Sequence, residues 1–217
     1  MNVVTQFQQF RQAIYKNLCK AQDATLELMD ALLLTRKAQS LADLSLSCVF
    51  GRQWWSVYEA LQNTRLDREQ LMKLYIAQIP PSEPIVLAGD HTSWSRPFAK
   101  TLQERTYEHS PSQLGGRPIA VGYGYSTLVG IPEAQGSWAV PLRHERITSW
   151  DSPISQAVQQ LSSVSAHLPS RTLSLWDSEY GCAPFINQTA EFPVDKLMRL
   201  RSNLYLWDTP AAYLFLP

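Results

Sequence analysis

Two short apolar runs, each closed by an aspartate, constrain this chain more than anything else in it. Ile85-Val86-Leu87-Ala88-Gly89 runs into Asp90, and Thr172-Leu173-Ser174-Leu175-Trp176 runs into Asp177. Runs of this length, rich in branched and aromatic residues, read as buried strands. A strand that delivers a carboxylate at its C-terminal end is commonplace, because Asp favours turns and helix caps. Two such strands in one chain ask whether the fold sets them side by side.

The segment between them suggests that it does. Ile119, Val121, Tyr123, Tyr125 and Thr127 alternate with Ala120, Gly122, Gly124 and Ser126, which is a strand period. The glycines leave room for close backbone approach. Ile131 to Gly136 reads as a turn and Ser137 to Leu142 as a further strand, so a hairpin follows the first Asp strand. Ser152-Pro153 opens a helix, with Pro at its first position and an apolar stripe of Ile154, Ala157, Val158, Leu161, Val164 and Leu168. A helix leading into the second Asp strand lets that strand return parallel beside the first. Pro184-Phe185-Ile186 begins another short helix, and Lys196 to Leu200 reads as a last strand. Thr92 to Arg117, ending in Gly115-Gly116-Arg117-Pro118, reads as irregular. The expected fold class is α/β, a ribonuclease-H-like mixed sheet preceded by an all-helical N-terminal region.

That N-terminal region, 1–80, carries apolar residues at helical spacing from Val3 to Leu18, then Leu26, Met29, Leu32 and Leu33 behind a cap at Asp23. Leu41 to Cys48 and Trp54 to Leu61 follow, then Leu71 to Ile76 behind Asp67 and Gln70, spaced as a capping box. Pro80-Pro81 ends the pattern. Arg36, Lys37, Arg52, Arg65, Arg68 and Lys73 could be phosphate contacts of a DNA-recognition domain or simply a solvated helix surface. Bulk charge does not choose: Lys+Arg and Asp+Glu are both 19. Cys19, Cys48 and Cys182 are too scattered for a disulfide framework or a zinc knuckle. There is no apolar leader and no run of transmembrane length, so a cytoplasmic protein without a membrane partner is expected.

Paired carboxylates suit Mg2+ or Mn2+, which take one or two protein acids and fill the remaining positions with water or phosphate oxygens. On that reading Asp90 and Asp177 are metal ligands of a phosphodiester-processing site; on the plainer one each ends a turn. Glu179 could share the site or point away, and His91 could contact phosphate or serve only the fold.

Four blocks carry a family resemblance. They are Leu87 to Pro97, Val121 to Ser126, His144-Glu145-Arg146-Ile147, and Leu175-Trp176-Asp177-Ser178-Glu179-Tyr180-Gly181. From about residue 20 to about residue 208 the chain resembles DDE-type transposases of bacterial insertion sequences, most of all the cyanobacterial kind. The resemblance implies a catalytic core over 81–203, with Asp90 as the first acid and Asp177 as the second. It implies Mg2+ or Mn2+ as cofactor and DNA, both transposon ends and target, as partner. Arg96, Arg199 and Arg201 then face DNA phosphates, with Arg199 to Asn203 on the strand after the second acid. A copy of itself or a full-length transposase is a further expected partner.

The family's third acid has no counterpart, since no Glu or Asp follows Asp208 and residues 204–217 make an atypical apolar tail. The expectation is therefore a C-terminally truncated transposase. The alternative is a non-catalytic DNA-binding or inhibitory fragment. A third reading is a metal-dependent nuclease whose site is completed by Glu179 or by a partner chain.

Overall fold

The computed structural model describes residues 2–80, 84–109, 119–133 and 135–205. The chain divides into two compact units, Met1–Pro80 and Pro81–Pro217. Residues 206–217, which include Asp208 and most of the apolar tail, lie outside the described residues, as does the Gly115 to Pro118 stretch.

The first unit is helical: α1 (Val3–Asn17), α2 (Gln22–Leu34), α3 (Leu41–Leu44), α4 (Trp55–Asn63) and α5 (Arg68–Ile76). Leu28, Ala31, Leu44, Phe50 and Val57 form its buried cluster. Local capping explains several starts. Asn2 accepts from the Val4 N–H, Ser40 and Asp43 form a capping box, and Asp67 accepts from the N–H groups of Glu69 and Gln70. Asp23 is not the cap of α2. It sits inside the first turn, and Ala21, in a left-handed conformation at φ 50°, precedes the helix.

The second unit is built on a mixed sheet. Its elements are β1 (Ile85–Ser95), β2 (Thr106–His109), β3 (Ile119–Ile131), β4 (Val140–Ile147), α6 (Pro153–Ser165), β5 (Thr172–Trp176), α7 (Ala183–Gln188) and β6 (Val194–Met198). The strand order is β2-β3-β1-β5-β6, with β4 also on β3. Both β2 and β4 use the outer edge of β3, β2 along its first residues and β4 from Gly124 to Gly130. The β1/β3, β2/β3 and β3/β4 pairs are antiparallel, while β1/β5 and β5/β6 are parallel. An antiparallel set on one side of β1 and parallel strands on the other is the ribonuclease-H-like arrangement.

The alternation along β3 separates two faces. Gly124, Ser126 and Leu128 are buried, and Tyr123, Tyr125 and Thr127 are half-buried. The buried face receives α6, whose start follows from the Ser152/Ser155 capping box and Pro153. Ala157, Leu161 and Val164 are fully buried. Two polar residues of α6 are buried too, and both are satisfied. Gln160 donates to the Ser126 carbonyl at 3.0 Å and accepts from the Ser126 hydroxyl at 2.8 Å, while Gln156 donates to Glu145 at 3.0 Å. The α7 helix joins the same face through Phe185, whose ring lies 4.7 Å from that of Trp176.

The sheet also departs from the sequence reading. The first strand does not stop after Asp90 but continues to Ser95, held by β3 through the Ser95/Gly122 pair. The stretch read as irregular contains β2, too short to show a period of its own. Gly122 makes the close approach at the end of β1, where a Cβ would stand 2.1 Å from the Trp94 carbonyl oxygen. Gly89 does the same for a side chain: a Cβ there would lie 2.1 Å from Cζ3 of Trp176.

Because the Trp176 ring fills the space over Gly89, Gly89→Ala overpacks the join between β1 and β5. We expect it to cost about 1–3 kcal/mol, measured as a lower urea midpoint at unchanged m.

Candidate metal centre

Parallel pairing of β1 with β5 sets Gly89 opposite Trp176. The next residue on each strand is an acid, Asp90 on β1 and Asp177 just past β5, and both are exposed. The structure thus brings together two carboxylates that are far apart in sequence. Asp90 stands where β5 ends rather than where β1 ends, so it projects from a continuous strand and not from a loop.

Each acid is held by one short local contact. Asp90 Oδ1 accepts from the His91 N–H at 2.7 Å, and Asp177 Oδ1 accepts from the Glu179 N–H at 2.9 Å. The second is an Asx turn that reverses the chain immediately after β5. No cation pairs with either carboxylate among the described residues.

Tyr180 registers the resulting field. Its ring is fully buried, packed against Trp176 and Phe185 with centroids at 4.9 and 5.5 Å, and among the described residues its hydroxyl has no hydrogen-bond partner. Burial pushes the phenol pKa well above its ordinary value of 10.0, and the negative charges of Asp90, Glu179 and Asp177 push it further.

Glu179 approaches His91. Its Oε2 lies 3.6 Å from Nδ1 of His91, within ion-pair range but too far for a hydrogen bond. His91 is opposite Ser126 and so on the helix-covered face, whereas Asp90 is opposite Thr127 on the other face. The His91/Glu179 contact ties β1 to the turn after β5 from behind the acid pair.

The arginines are spread out. Arg199 and Arg201 lie just past β6 rather than on a strand, because pairing with β5 ends at Trp176/Met198; the Arg199 N–H still donates to the Trp176 carbonyl at 3.1 Å. Both are exposed, just past the end of β6 that lies beside the end of β5. Arg96 is six residues along from Asp90, roughly 20 Å at strand rise, and its guanidinium lies 3.8 Å above the Trp94 ring. In the helical unit Arg52 pairs with Glu27 at 3.1 Å and Lys73 stands 4.0 Å from Glu69.

A divalent cation fits this donor set in kind. The two carboxylates are oxygen donors, exposed and without a counter-charge among the described residues, and one or two acids is the usual protein share of a Mg2+ site. The fit is to two ligands: among the described residues no group of three or more His, Cys, Asp or Glu could hold a metal ion.

The sequence pattern of the DDE superfamily endonucleases matches residues 13–213. The chain belongs to that family. No curated protein matches it. The cryo-EM structure of a piggyBac transposase synaptic complex with hairpin DNA is similar over 85% of this chain and 43% of that one, at 12% identity and a TM-score of 0.47. This DDE-family chain therefore spans less than half the length of that protein. Among its described residues no helix is long and apolar enough to cross a membrane.

Tyr180→Phe tests the buried phenol. At neutral pH the variant should be as stable as the parent or more so by about 1–2 kcal/mol, since an unsatisfied buried hydroxyl is removed. In metal-free buffer the parent should lose stability as pH rises past 10.0, because the unfolded phenol ionises before the folded one. The variant should lack that part of the decline, read from urea midpoints against pH.

Proposed function

We propose that this DDE-family chain carries the core of a transposase of the bacterial insertion-sequence kind, cutting and joining DNA with Asp90 and Asp177 as ligands of Mg2+ or Mn2+. The observation that carries the reading is the pair of exposed carboxylates one residue past the Gly89/Trp176 pair of β1 and β5, with no cation paired to either among the described residues. The family match supports the reaction class.

Asp90 and Asp177 supply two oxygen ligands from a rigid sheet and a tight turn, so their spacing does not depend on a mobile loop. Asp90 and Asp177 would hold a divalent ion, which would supply Lewis-acid polarisation of a phosphodiester oxygen and a lowered pKa for the attacking water or hydroxyl. Tyr180 and Trp176 close the floor of the site and exclude water beneath it. Arg199 and Arg201, just past the neighbouring strand, suit the phosphates next to the reacting one, and Arg96 suits one several nucleotides away. The helical region 1–80 suits recognition of transposon ends, with 81–203 as the catalytic core acting in the cytoplasm. The proposal assigns two ligands and no third.

A second reading rests on the two-acid donor set, since no third ligand joins it among the described residues: a DNA-binding or inhibitory member of the family that does not cut. Strand cleavage of an end-bearing duplex in Mn2+ separates the two. The first reading expects nicking that Asp90→Ala and Asp177→Ala each reduce by about a thousandfold or more, since the ligands act as a unit. Equal background in parent and variants, with duplex binding intact, selects the second.

A further inference from the structure

Both helices of the second unit pack on the Ser126 face of the sheet, and the opposite face changes character at Asp90. Before it the exposed side of the strands is aliphatic, with Val86, Val129 and Leu175 half-buried. Beyond it the same face carries Trp94 and Tyr123 as direct cross-strand partners, then Tyr125 opposite Arg146 on β4, and Thr127 opposite His144. Trp94 is 45% exposed. Its ring centroid lies 6.3 Å from that of Tyr123, which lies 6.5 Å from that of Tyr125, and Tyr125 stacks on His144 at 5.1 Å and 5°. Guanidinium groups lie over two of the rings, Arg96 over Trp94 at 3.8 Å and Arg146 over Tyr123 at 4.4 Å.

A surface waiting for a protein helix would continue the aliphatic pattern, because Val and Leu pack there at no polar cost. This one instead offers polar-tipped rings and cations, the combination that holds unpaired nucleotides by base stacking and phosphate contact. The charge is suited to it. Arg146 is neutralised by Glu104 at 2.8 Å, but Arg96 has no acidic partner among the described residues. The row also begins at Asp90, so a strand lying along it would enter the acid pair directly.

We propose that the face formed by Trp94, Tyr123, Tyr125 and His144, flanked by Arg96 and Arg146, is a stacking platform for single-stranded DNA leading into the Asp90/Asp177 site. The proposal deepens the DNA reading given above and rests on it. It states that the substrate next to the acids is unpaired rather than duplex.

The test uses the full chain and an oligothymidylate of about fifteen nucleotides, near the upper site size for such surfaces, carrying one 5-iodouracil. Irradiation should cross-link it to Trp94, Tyr123 or Tyr125. Trp94→Ala should weaken binding of the single strand about 5- to 100-fold while changing affinity for a duplex of equal length little, and Trp94→Phe should restore most of the loss. Cross-links mapping outside these strands overturn the proposal, as does equal loss for single strand and duplex, which is charge alone. So does self-association of the parent that Trp94→Ala abolishes, which makes a second copy the occupant. If Trp94→Ala does not fold, the cross-link map of the parent decides. Unchanged single-strand binding in Trp94→Ala with acid-dependent cleavage intact sinks this inference only. Absent cleavage with ring-specific binding sinks only the catalytic reading.

Discussion

β1 is paired on both sides, antiparallel to β3 and parallel to β5, and the rest of the second unit depends on that double pairing. The parallel side ends at Gly89/Trp176, while the antiparallel side runs on to Ser95/Gly122. The difference in length has two consequences. It leaves Asp90 at a step in the sheet, beside the start of the turn after β5. It also lets β1 carry a row of side chains beyond that step, exposed on one face and held in line by pairing with β3 along one edge. Trp176 over Gly89 is the packing that holds the step in register.

Electrostatics at the step is one-sided. Among the described residues Asp90 and Asp177 have only local N–H donors, Glu179 lies 3.6 Å from His91, and a buried phenol beneath all three has no hydrogen-bond partner. Like charges set side by side repel, and a bound cation would offset that repulsion. The match over residues 13–213 assigns the chain to the DDE superfamily endonucleases.

Much of the frame could be read along the chain. The Ser152-Pro153 start of α6, the period-two alternation of Tyr123, Tyr125 and Thr127, and the parallel return of the second Asp strand are all in the structure. What could not be read was length and partnership. Nothing local distinguishes Thr92 to Ser95 from loop, because these residues are strand only through their pairing with Gly122 to Tyr125. The cap of α2 was misplaced for a similar reason: Asp23 has the right chemistry, but the hydroxyl of Tyr15 holds it at 2.8 Å. The aromatic row was half visible, in the tyrosines of β3. Trp94 and the two arginines join it through cross-strand register alone.

By itself the sequence determined the local elements: apolar runs that end in Asp90 and Asp177, helix starts written in Ser and Pro, and the side-chain alternation that gives a strand two unlike faces. These follow from backbone sterics, capping and a period of two, which act over a few residues. Only the tertiary structure decided that the two acids are neighbours, that Glu179 turns to His91, and that the rings of β1, β3 and β4 line one surface. Those outcomes depend on pairing between segments distant in the chain, chosen by which apolar faces bury together, and no local pattern encodes that choice.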